Sequence, residues 1–397
     1  MIRRIEAHNY RSLRVVSQAL RPFQVLVGPN GSGKSTFLDV LALLSDFVRL
    51  GMEEALIGNS GRARRLDELI FNQCATSFEV AVEFEIPTDL ASLKRNGSSR
   101  YDLARYEVAF GKAANGQLDV QSERLWLIES QQKQERRLVV KKGSTANSYM
   151  SENSQDELSF KLGFGKAALS GVPEDRERFP IAIWVRDLLL ESIRVLALNS
   201  AAMRRPVSPS ARRDFNVSGA NLPLVVQDLA KYPLDYADWL AHVQTILPDV
   251  KQIHVYERPE DRHLYLAIEY TSTTEPIPSW LVSDGTLRLL ALTILAYLPD
   301  EPRIYLIEEP ENGIHPKAIE GVYQSLSSVY HGQVIIATHS PLLLGLAEQE
   351  QLLIFSKSVS GAVEIVSGDK HPALANWHGQ IDLATLYAAG VLGCVKI

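Results

Sequence analysis

Residues 28–36 read GPNGSGKST and fit the pattern G-x-x-x-x-G-K-[ST] at every constrained position. The apolar run FQVLV at 23–27 reads as a short buried strand, and the apolar-rich stretch from Phe37 to Val48 suits a helix. Glycines in such a loop let backbone N–H groups turn inward around phosphates, and the positive end of the helix dipole adds to the attraction. The stretch therefore predicts the nucleotide-binding loop of a P-loop NTPase.

Two side chains of this loop have predicted roles. Lys34 is expected to reach the β- and γ-phosphates of a nucleoside triphosphate, and the hydroxyl of Ser35 is expected to ligate Mg²⁺. The alternative is a chance glycine-rich turn, which would not explain the strand before the loop and the helix after it.

A second stretch, LIEEPENGIHP from Leu306 to Pro316, places two adjacent carboxylates at the end of an apolar run. A carboxylate there is costly unless something binds it, and in P-loop enzymes an acid at the end of a nearby parallel strand helps to hold Mg²⁺. Glu308 suits that role, and Glu309 is expected to orient or polarise the attacking water. A solvated acidic loop is the alternative interpretation.

Two further stretches carry candidate phosphate contacts. In VIIATHSP, Thr338, His339 and Ser340 follow a β-rich run, so His339 is expected at the carboxyl edge of the same sheet, near the γ-phosphate or the attacking water. In LVSDGTLRLLAL, Ser283 and Gly285 precede a buried helix. That pattern is typical of an ordinary helix cap and equally of an anion site, and both interpretations remain open.

The strand and helix patterns predict an α/β fold. RIYLI and QVIIAT are β-rich runs with a helical stretch between them, which indicates a βαβ unit and a parallel or mixed central sheet. SFEVAVEFEIP alternates apolar and acidic residues, which is typical of a half-solvated strand, and further strand-like runs predict an antiparallel β-subdomain. A helical insertion is predicted from about 180 to 247, and the polar region 143–160 reads as a mobile loop.

Composition excludes several classes of protein. The chain has 397 residues, of which 46% are hydrophobic and 22% are charged, and its net charge of −6 means that any nucleic-acid contact requires a local basic patch. Cys74 and Cys394 have no metal-ligand spacing. Because the sequence shows neither a membrane-spanning run nor a signal-peptide h-region, we expect a cytoplasmic protein with free thiols and no membrane partner.

Two basic clusters and one histidine pair are weaker candidates. RARR at 62–65 and RRPVSPSARR at 204–213 are candidate contacts to the phosphate backbone of DNA, but neither has the interleaved aromatic residues of a base-stacking surface. A solvated or ion-pairing surface is the alternative. His371 and His378 do not predict a metal site, since Pro372 interrupts a helical spacing between them.

In this order, the four motif stretches resemble those of an ATPase head of the ATP-binding-cassette (ABC) type. The branch is that of the RecF, Rad50 and SMC proteins, and the chain is most similar to smaller bacterial AAA-family ATPases related to the overcoming-lysogenization-defect family. IEAHNYRSL resembles the opening strand of that group, GPNGSGKST resembles Walker A, LVSDGTLRLL the signature motif, IYLIEEPENGIHP Walker B, and IIATHSP the switch-histidine motif. The resemblance covers about 1–50 and 280–345, and it is loose in the middle.

The resemblance implies ATP and Mg²⁺ as cofactors and gives roles to individual residues. It implies that Glu309 is the catalytic carboxylate, assisted by His339 and Lys34. Glu308 stands where Walker B usually has Asp, which makes a slow ATPase conceivable, and Gln73 is a weak candidate for the Q-loop metal ligand. The residues expected to bind ATP are Arg11, Asn30, Gly31, Ser32, Gly33, Lys34, Ser35 and Thr36.

The resemblance also implies a homodimer with two ATP molecules between head-to-head subunits. Ser283, Asp284 and Gly285 would then contact the ATP held by the second subunit. The stretch after His339 is too short for a nuclease domain of typical size, so the Toprim nuclease of the overcoming-lysogenization-defect family is expected to be absent.

Four segments are predicted along the chain. Residues 1–142 form an N-terminal ATPase lobe with the P-loop and the antiparallel β-subdomain, and 143–250 form the mobile loop and the helical insertion. Residues 251–355 form a C-terminal ATPase lobe with the signature, Walker B and the switch histidine. The extension 356–397 contains LATLYAAGVLG, a short apolar helix expected to dock on the body or on a partner.

Three functions follow from these expectations. The first is an ATP-hydrolysing dimer that controls a separately encoded effector, often a nuclease, in bacterial defence against phage. The second is a RecF-like DNA repair clamp, which predicts salt-sensitive DNA binding. The third is a scaffold that binds ATP without turnover.

Overall fold

The structure is a computed structural model that describes residues 1–58, 62–91, 101–113, 115–129, 136–298, 303–374 and 383–389. Its contacts divide the chain into two units. The first unit contains residues 1–21, 29–193 and 355–366, and the second contains residues 22–28, 194–354 and 367–397. Each unit therefore combines segments that are far apart in the sequence.

The strands of the described residues are short to medium in length. They are β1 (Ile2–Tyr10), β2 (Leu13–Ala19), β3 (Phe23–Val27), β4 (Ser77–Glu85), β5 (Leu103–Lys112), β6 (Leu118–Ile128), β7 (Arg136–Lys141), β8 (Asn147–Met150), β9 (Glu157–Phe160), β10 (Ile193–Leu196), β11 (Val250–Glu257), β12 (Leu264–Tyr270), β13 (Ile277–Pro278), β14 (Ile304–Glu308), β15 (Gln333–Thr338), β16 (Leu352–Lys357) and β17 (Val363–Ser367).

The longest helix of the described residues directly follows the glycine-rich loop. The helices are α1 (Lys34–Leu50), α2 (Met52–Leu56), α3 (Thr88–Ala91), α4 (Pro180–Asp187), α5 (Ser200–Met203), α6 (Leu222–Leu229), α7 (Pro233–Ile246), α8 (Asp284–Thr293), α9 (Ile319–Ser327), α10 (Pro341–Leu346) and α11 (Leu383–Ala388). No helix in these described ranges is both long and apolar enough to cross a membrane.

The first unit contains an eight-stranded sheet in the order β2-β1-β4-β5-β6-β7-β8-β9, with antiparallel pairs throughout. The alternation in SFEVAVEFE places Phe78 on the buried face, where its ring centroid lies 5.3 Å from that of Phe110. Phe110 in turn lies 5.0 Å from Phe47 of α1. The sheet and the helix after the glycine-rich loop thus share one apolar core, and the predicted antiparallel β-subdomain is confirmed.

The polar region 143–160 differs from the loop that its composition predicts. It contains β8 and β9. Tyr149 of β8 is fully buried, and its ring centroid lies 4.6 Å from that of Phe160 in β9. Its hydroxyl donates to the carbonyl of Ala168 at 3.0 Å. Glu152 is also buried and accepts the backbone N–H of Ala182 at 2.8 Å, which caps the start of α4. In β8 alternate side chains, those of Asn147 and Tyr149, are buried, which stabilises a strand in a segment rich in serine and asparagine.

The second unit contains a sheet whose central strands are parallel. The order is β10-β14-β15-β3-β16, and the chain of β16 continues into the first unit, where it turns back into β17. Strands β14, β15, β3 and β16 run parallel, with α9 connecting β14 to β15. The βαβ unit predicted from RIYLI and QVIIAT is confirmed.

Helices and a small antiparallel sheet complete the second unit. Of the helices in the predicted helical insertion, α5, α6 and α7 lie in this unit and α4 lies in the first. Trp239 of α7 is fully buried, with its indole N–H donating to Thr293 of α8 at 3.1 Å. Strands β11, β12 and β13 pair in that order. The apolar core of this unit includes the buried faces of β3, β14 and β15, so the ends of these strands are held rigidly.

Candidate nucleotide-binding site

The glycine-rich loop adopts a conformation that suits phosphate binding. Gly31 and Gly33 have φ angles of +72° and +102°, which L side chains rarely adopt, and α1 begins immediately afterwards at Lys34. The backbone N–H of Ser32 donates to the carbonyl of Pro29 at 3.1 Å, which closes the turn. No side chain caps α1, so its first N–H groups remain directed at the loop.

Two polar groups of the glycine-rich loop are buried in a way that suits an anionic ligand. Lys34 is 6% exposed, and its ammonium donates to the carbonyl of Pro29 at 3.1 Å. The hydroxyl of Ser32 is buried and has no hydrogen-bond partner, an arrangement that costs free energy unless a ligand supplies one. Asn30 and Ser35 are exposed, and Thr36 is half-buried. These positions fit a triphosphate with a metal ion.

Gly33 is required by close packing as well as by its φ angle. A Cβ atom there would lie 2.4 Å from Cγ2 of Val363 and 3.2 Å from Oγ of Ser12. The backbone N–H of Val363 donates to the carbonyl of Ser12 at 2.9 Å, so these two neighbours are fixed. Position 33 is therefore packed too tightly for any larger residue.

Arg11 lies in a charged cluster centred on Asp39 of α1. Asp39 accepts hydrogen bonds from the hydroxyl of Tyr10 at 2.5 Å, from Arg11 at 3.1 Å and from Arg62 at 2.8 Å. Burial and the nearby Asp39 raise the pKa of Tyr10, so its hydroxyl stays protonated and donates. Arg62, whose side chain is 7% exposed, also pairs with Asp46 at 2.7 Å. The cluster anchors α1, the helix that follows the glycine-rich loop.

Of the basic residues at 62–65, which the sequence presents as a candidate DNA contact, Arg62 is not placed to contact DNA. The guanidinium of Arg62 is buried between two carboxylates, whereas Arg65 is exposed. The sequence leaves this pairing open, because the acids lie on a different element from the basic run.

Three of the predicted site residues have unusual backbone conformations. Arg11, Gln73 and Glu309 have φ angles of +48°, +53° and +48°, and Asn72, next to Gln73, has +46°. A residue other than glycine in this region costs about 1–3 kcal/mol, and such strain clusters at functional sites. Gln73 is exposed, so its side chain is accessible to a ligand.

In the second unit, register brings the candidate strand ends together. Glu308 is in register with Ala337, and the next residue on β15, Thr338, is in register with Val27 at the end of β3. Gly28, the first residue of the glycine-rich loop, follows Val27 directly. The three parallel strands therefore end side by side at one sheet edge, where ligands of such sheets bind.

Glu309 is held by its own loop. Its backbone N–H donates to the carbonyl of Ala337 at 2.7 Å, and the side-chain amide of Asn312 donates to one of its carboxylate oxygens. Its neighbour Glu308 is exposed at the end of β14. The two carboxylates therefore differ in surroundings, as two different roles require.

Thr338 connects this loop to the segment that carries His339. Its hydroxyl donates to Oε1 of Glu311 at 2.6 Å and accepts the backbone N–H of Ser340 at 2.9 Å. The other oxygen of Glu311 is buried without a hydrogen-bond partner. Sequence analysis names Thr338 only as part of a motif and does not identify Glu311, because a single acid in a loop carries no signal.

The segment 283–285 forms the start of α8. Ser283 is the N-cap, and its Oγ accepts the backbone N–H of Thr286 at 3.2 Å, as the helix-cap interpretation predicts. A Cβ atom on Gly285 would lie 2.5 Å from the carbonyl oxygen of Gly313. The start of α8 is therefore packed directly against the loop after Glu309.

Two arginines of the second basic cluster are paired with acids. Arg204 lies 2.5 Å from a carboxylate oxygen of Asp284, and Arg213 lies 2.5 Å from Asp228. Arg204, Asp284 and Glu308 line a cavity of about 500 Å³. Within the described residues, no group of three or more His, Cys, Asp or Glu side chains could hold a metal ion.

The C-terminal helix contacts the start of the glycine-rich loop. The hydroxyl of Tyr387 in α11 donates to the carbonyl of Gly28 at 3.0 Å, and Leu383 is buried. Helix α11 covers residues 383–388 of the stretch that is predicted to form a short apolar helix docked on the body or on a partner, and residues 390–393 lie outside the described residues. His371 is buried, which lowers its pKa, and His378 and Cys394 lie outside the described residues.

Comparison with solved structures identifies the class of fold. The chain is similar to an Smc head bound to the C-winged helix domain of ScpA, with a TM-score of 0.56, 16% identity, and coverage of 92% of this chain and 96% of that chain. It is also similar to an Smc head domain with an extended coiled coil bound to the C-terminal domain of ScpA from Pyrococcus furiosus, with a TM-score of 0.51, 15% identity, and coverage of 92% and 95%. The predicted α/β P-loop fold of the ABC-ATPase type is confirmed.

The chain belongs to the family described as "AAA domain, putative AbiEii toxin, Type IV TA system", whose sequence pattern matches residues 23–345. No curated protein matches the chain. The predicted similarity to AAA-family proteins with SMC-like heads is confirmed, whereas the closer relation to the overcoming-lysogenization-defect family stays a prediction.

Proposed function

We propose that this chain binds and hydrolyses ATP as a head-to-head dimer and thereby controls a separate effector protein in defence against phage. One observation carries the proposal: β14, β15 and β3 end side by side, with Glu308, Thr338 and Val27 at the same sheet edge. The chain continues from β3 directly into the glycine-rich loop. Gly28, the first residue of that loop, therefore lies at the same sheet edge as the end of β14 and its carboxylates.

The residues of the glycine-rich loop fit the phosphates of ATP. The backbone N–H groups around Gly31 and Gly33 would hold the phosphate oxygens, and the buried Lys34 would exchange its bond to Pro29 for the β- and γ-phosphates. The hydroxyl of Ser32, which has no partner, would gain one. Arg11 lies outside this loop, between β1 and β2, where its guanidinium pairs with Asp39 at 3.1 Å, and we keep it as a candidate ATP contact.

Mg²⁺ prefers oxygen ligands, and the chain offers two candidates. The hydroxyl of Ser35 and the carboxylate of Glu308 are both exposed, and Gln73 is a third, weaker candidate. Bound Mg²⁺ would neutralise charge that develops on the phosphates. Glu308 is one methylene longer than the aspartate usual at this position, so we expect slow hydrolysis.

Glu309 and His339 would act on the water and the γ-phosphate. Glu309 is fixed by Asn312 and by the carbonyl of Ala337, so its carboxylate would accept a proton from the attacking water at a set position. His339 would donate a hydrogen bond to the γ-phosphate, and the bond between Thr338 and Glu311 would keep it in place.

The dimer and the effector rest on the signature segment and on the comparisons. Ser283 caps α8 at a surface where the helix N-terminus attracts anions, so Ser283, Asp284 and Gly285 would contact the ATP of a second copy. The similar Smc heads are bound to ScpA domains, which supports control of a separate protein. The family description names a putative toxin of a toxin–antitoxin system, which supports a role in defence.

A DNA repair clamp is the second candidate, but part of its basis in the sequence is lost. Arg62, Arg204 and Arg213 are paired with acids, and a guanidinium in an ion pair contributes less to phosphate-backbone binding. Arg65 also lies 3.8 Å from Glu68, whereas the exposed Arg64, Arg205 and Arg212 remain candidate contacts. If the chain binds DNA only with ATP, and if that binding weakens steeply with salt concentration, the DNA repair clamp is favoured over control of an effector protein.

The proposal is tested by comparing three forms of the full chain. Wild type should bind ATP and release phosphate, Lys34→Ala should not bind ATP, and Glu309→Gln should bind ATP and form a stable dimer without releasing phosphate. Lys112→Ala, a change of an exposed lysine in the same unit, is the matched control and should behave as wild type. Phosphate release at background from wild type that binds ATP would favour the scaffold, and unchanged ATP affinity in Lys34→Ala would contradict the assigned loop.

A further inference from the structure

Asp284 presents an electrostatic problem at the start of α8. Its carboxylate is 60% exposed and lies next to Ser283, at the surface that would receive the terminal phosphate of ATP. A carboxylate repels a triphosphate, although it suits the helix dipole of an isolated chain. Something must offset this charge if the segment is to bind phosphate.

Arg204 forms an ion pair with this carboxylate. Its Nη2 lies 2.5 Å from Oδ1 of Asp284 and donates to the carbonyl of Val282 at 2.8 Å, and Nε donates to the same carbonyl at 3.3 Å. These bonds hold the guanidinium beside the helix N-terminus. A guanidinium has five N–H donors, and Val282 and Asp284 engage only those on Nε and Nη2.

The position of Arg204 is fixed from both sides. It directly follows Met203, which is fully buried at the end of α5, and its own carbonyl accepts the hydroxyl of the buried Ser279 at 3.4 Å. Its side chain nevertheless remains 32% exposed. Arg204 is therefore anchored through its backbone, while its side chain remains partly exposed.

We infer that Arg204 binds phosphate together with residues 283–285 at the start of α8, and that Asp284 is its counter-ion in the ATP-free chain. In the head-to-head dimer, the guanidinium contacts the γ-phosphate of ATP held by the second copy, in the bidentate manner that arginine favours with phosphates. The inference rests on the proposed function, since it requires the dimer. It adds a residue outside the motif, and it explains why an acid is tolerated beside Ser283.

The test uses the Glu309→Gln chain, in which ATP is retained, and measures dimer formation by sedimentation velocity with ATP and with ADP. Adding Arg204→Ala should weaken ATP-dependent dimerisation by about tenfold or more, because a charged hydrogen bond to phosphate is lost. Arg205→Ala, the adjacent exposed arginine, is the matched control and should not change it. Thermal unfolding of each variant establishes that the chains are folded.

A second change separates phosphate contact from charge neutralisation. In the Arg204→Ala chain, Asp284→Asn removes the carboxylate, and the dimer should remain weak if the arginine itself contacts phosphate. Full restoration of the dimer would overturn the inference, since Arg204 would then only neutralise Asp284. An unchanged dimer with Arg204→Ala would also overturn it, as would weaker ATP binding by the monomer, which would place Arg204 at its own nucleotide. If Glu309→Gln itself forms no ATP-dependent dimer, the proposed function fails, and this inference fails with it.

Discussion

The hydroxyl of Thr338 joins the ends of two neighbouring strands, because it donates a hydrogen bond of 2.6 Å to Glu311 in the loop after β14. Thr338 directly precedes His339, and Glu311 lies two residues after Glu309. The bond therefore fixes the backbone of the proposed phosphate contact relative to that of the proposed base. Reacting groups must be held in this way, since small displacements cost large factors in rate.

Thr338→Val should separate positioning from binding. Valine has nearly the same shape but leaves Glu311 without its donor and the N–H of Ser340 without its acceptor. We expect the kcat for ATP hydrolysis to fall by about 10- to 100-fold, with ATP affinity nearly unchanged. Thr338→Ser keeps the hydroxyl and should retain most of the activity. Equal activity of the Val and Ser variants, measured by phosphate release, would contradict the positioning role.

Gly33→Ala should damage the nucleotide-binding loop through contact as well as conformation. The new Cβ would lie 2.4 Å from Val363, and φ is +102°. Gly116→Ala is a matched control, because φ there is +81° and no heavy atom lies within 4 Å of the new Cβ. Backbone strain alone costs about 1 kcal/mol, so the control should lose about that much stability and keep ATP affinity.

Titration with a fluorescent ATP analogue and urea unfolding measure the two effects separately. Gly33→Ala should lose more stability than the control and should bind ATP at least about tenfold more weakly, since a 1.4 kcal/mol loss of binding free energy has that effect. Similar losses in both variants would mean that the packing around Gly33 is unimportant.

The motifs are predictable from sequence because each depends on local order. The glycine spacing at 28–36 determines where left-handed φ angles occur, and β-rich runs separated by a helix determine that β14 and β15 are parallel. Long-range side-chain pairs are not predictable in this way. The pairs of Arg62 with Asp39 and of Arg204 with Asp284 join distant segments, so the sequence leaves an ion-pairing surface open and does not name the partners.

The polar region 143–160 shows a second limit. Its strands are four residues long, too short for a clear alternating pattern, and serine and asparagine usually indicate turns. The burial of Tyr149 and Glu152 depends on partners in 168–182, which the local sequence does not reveal.

Arg62→Met should destabilise the first unit. The change leaves Asp39 and Asp46 without their shared cation, and the side chain of Arg62 is 7% exposed, so we expect a loss of about 3 kcal/mol in the free energy of unfolding. Lys112→Met breaks the pair of Lys112 with Asp67, whose side chains are 41% and 38% exposed. That control should cost at most about 1 kcal/mol. Urea unfolding curves check both values, and equal losses would show that the Asp39 cluster is no more important than a surface pair.

The central claim is that one site is completed by two copies of the chain, and mixing two inactive variants tests it most directly. Lys34→Ala chains should not bind ATP. Ser283→Arg chains should bind ATP, but their residues 283–285 should not contact the ATP of a second copy. Each variant alone should therefore release phosphate only at the background rate. A mixture should regain hydrolysis, because a mixed dimer contains one site with Lys34 from one copy and Ser283 from the other. A mixture that stays at background while wild type hydrolyses ATP, or a Ser283→Arg chain that is fully active alone, would contradict the account.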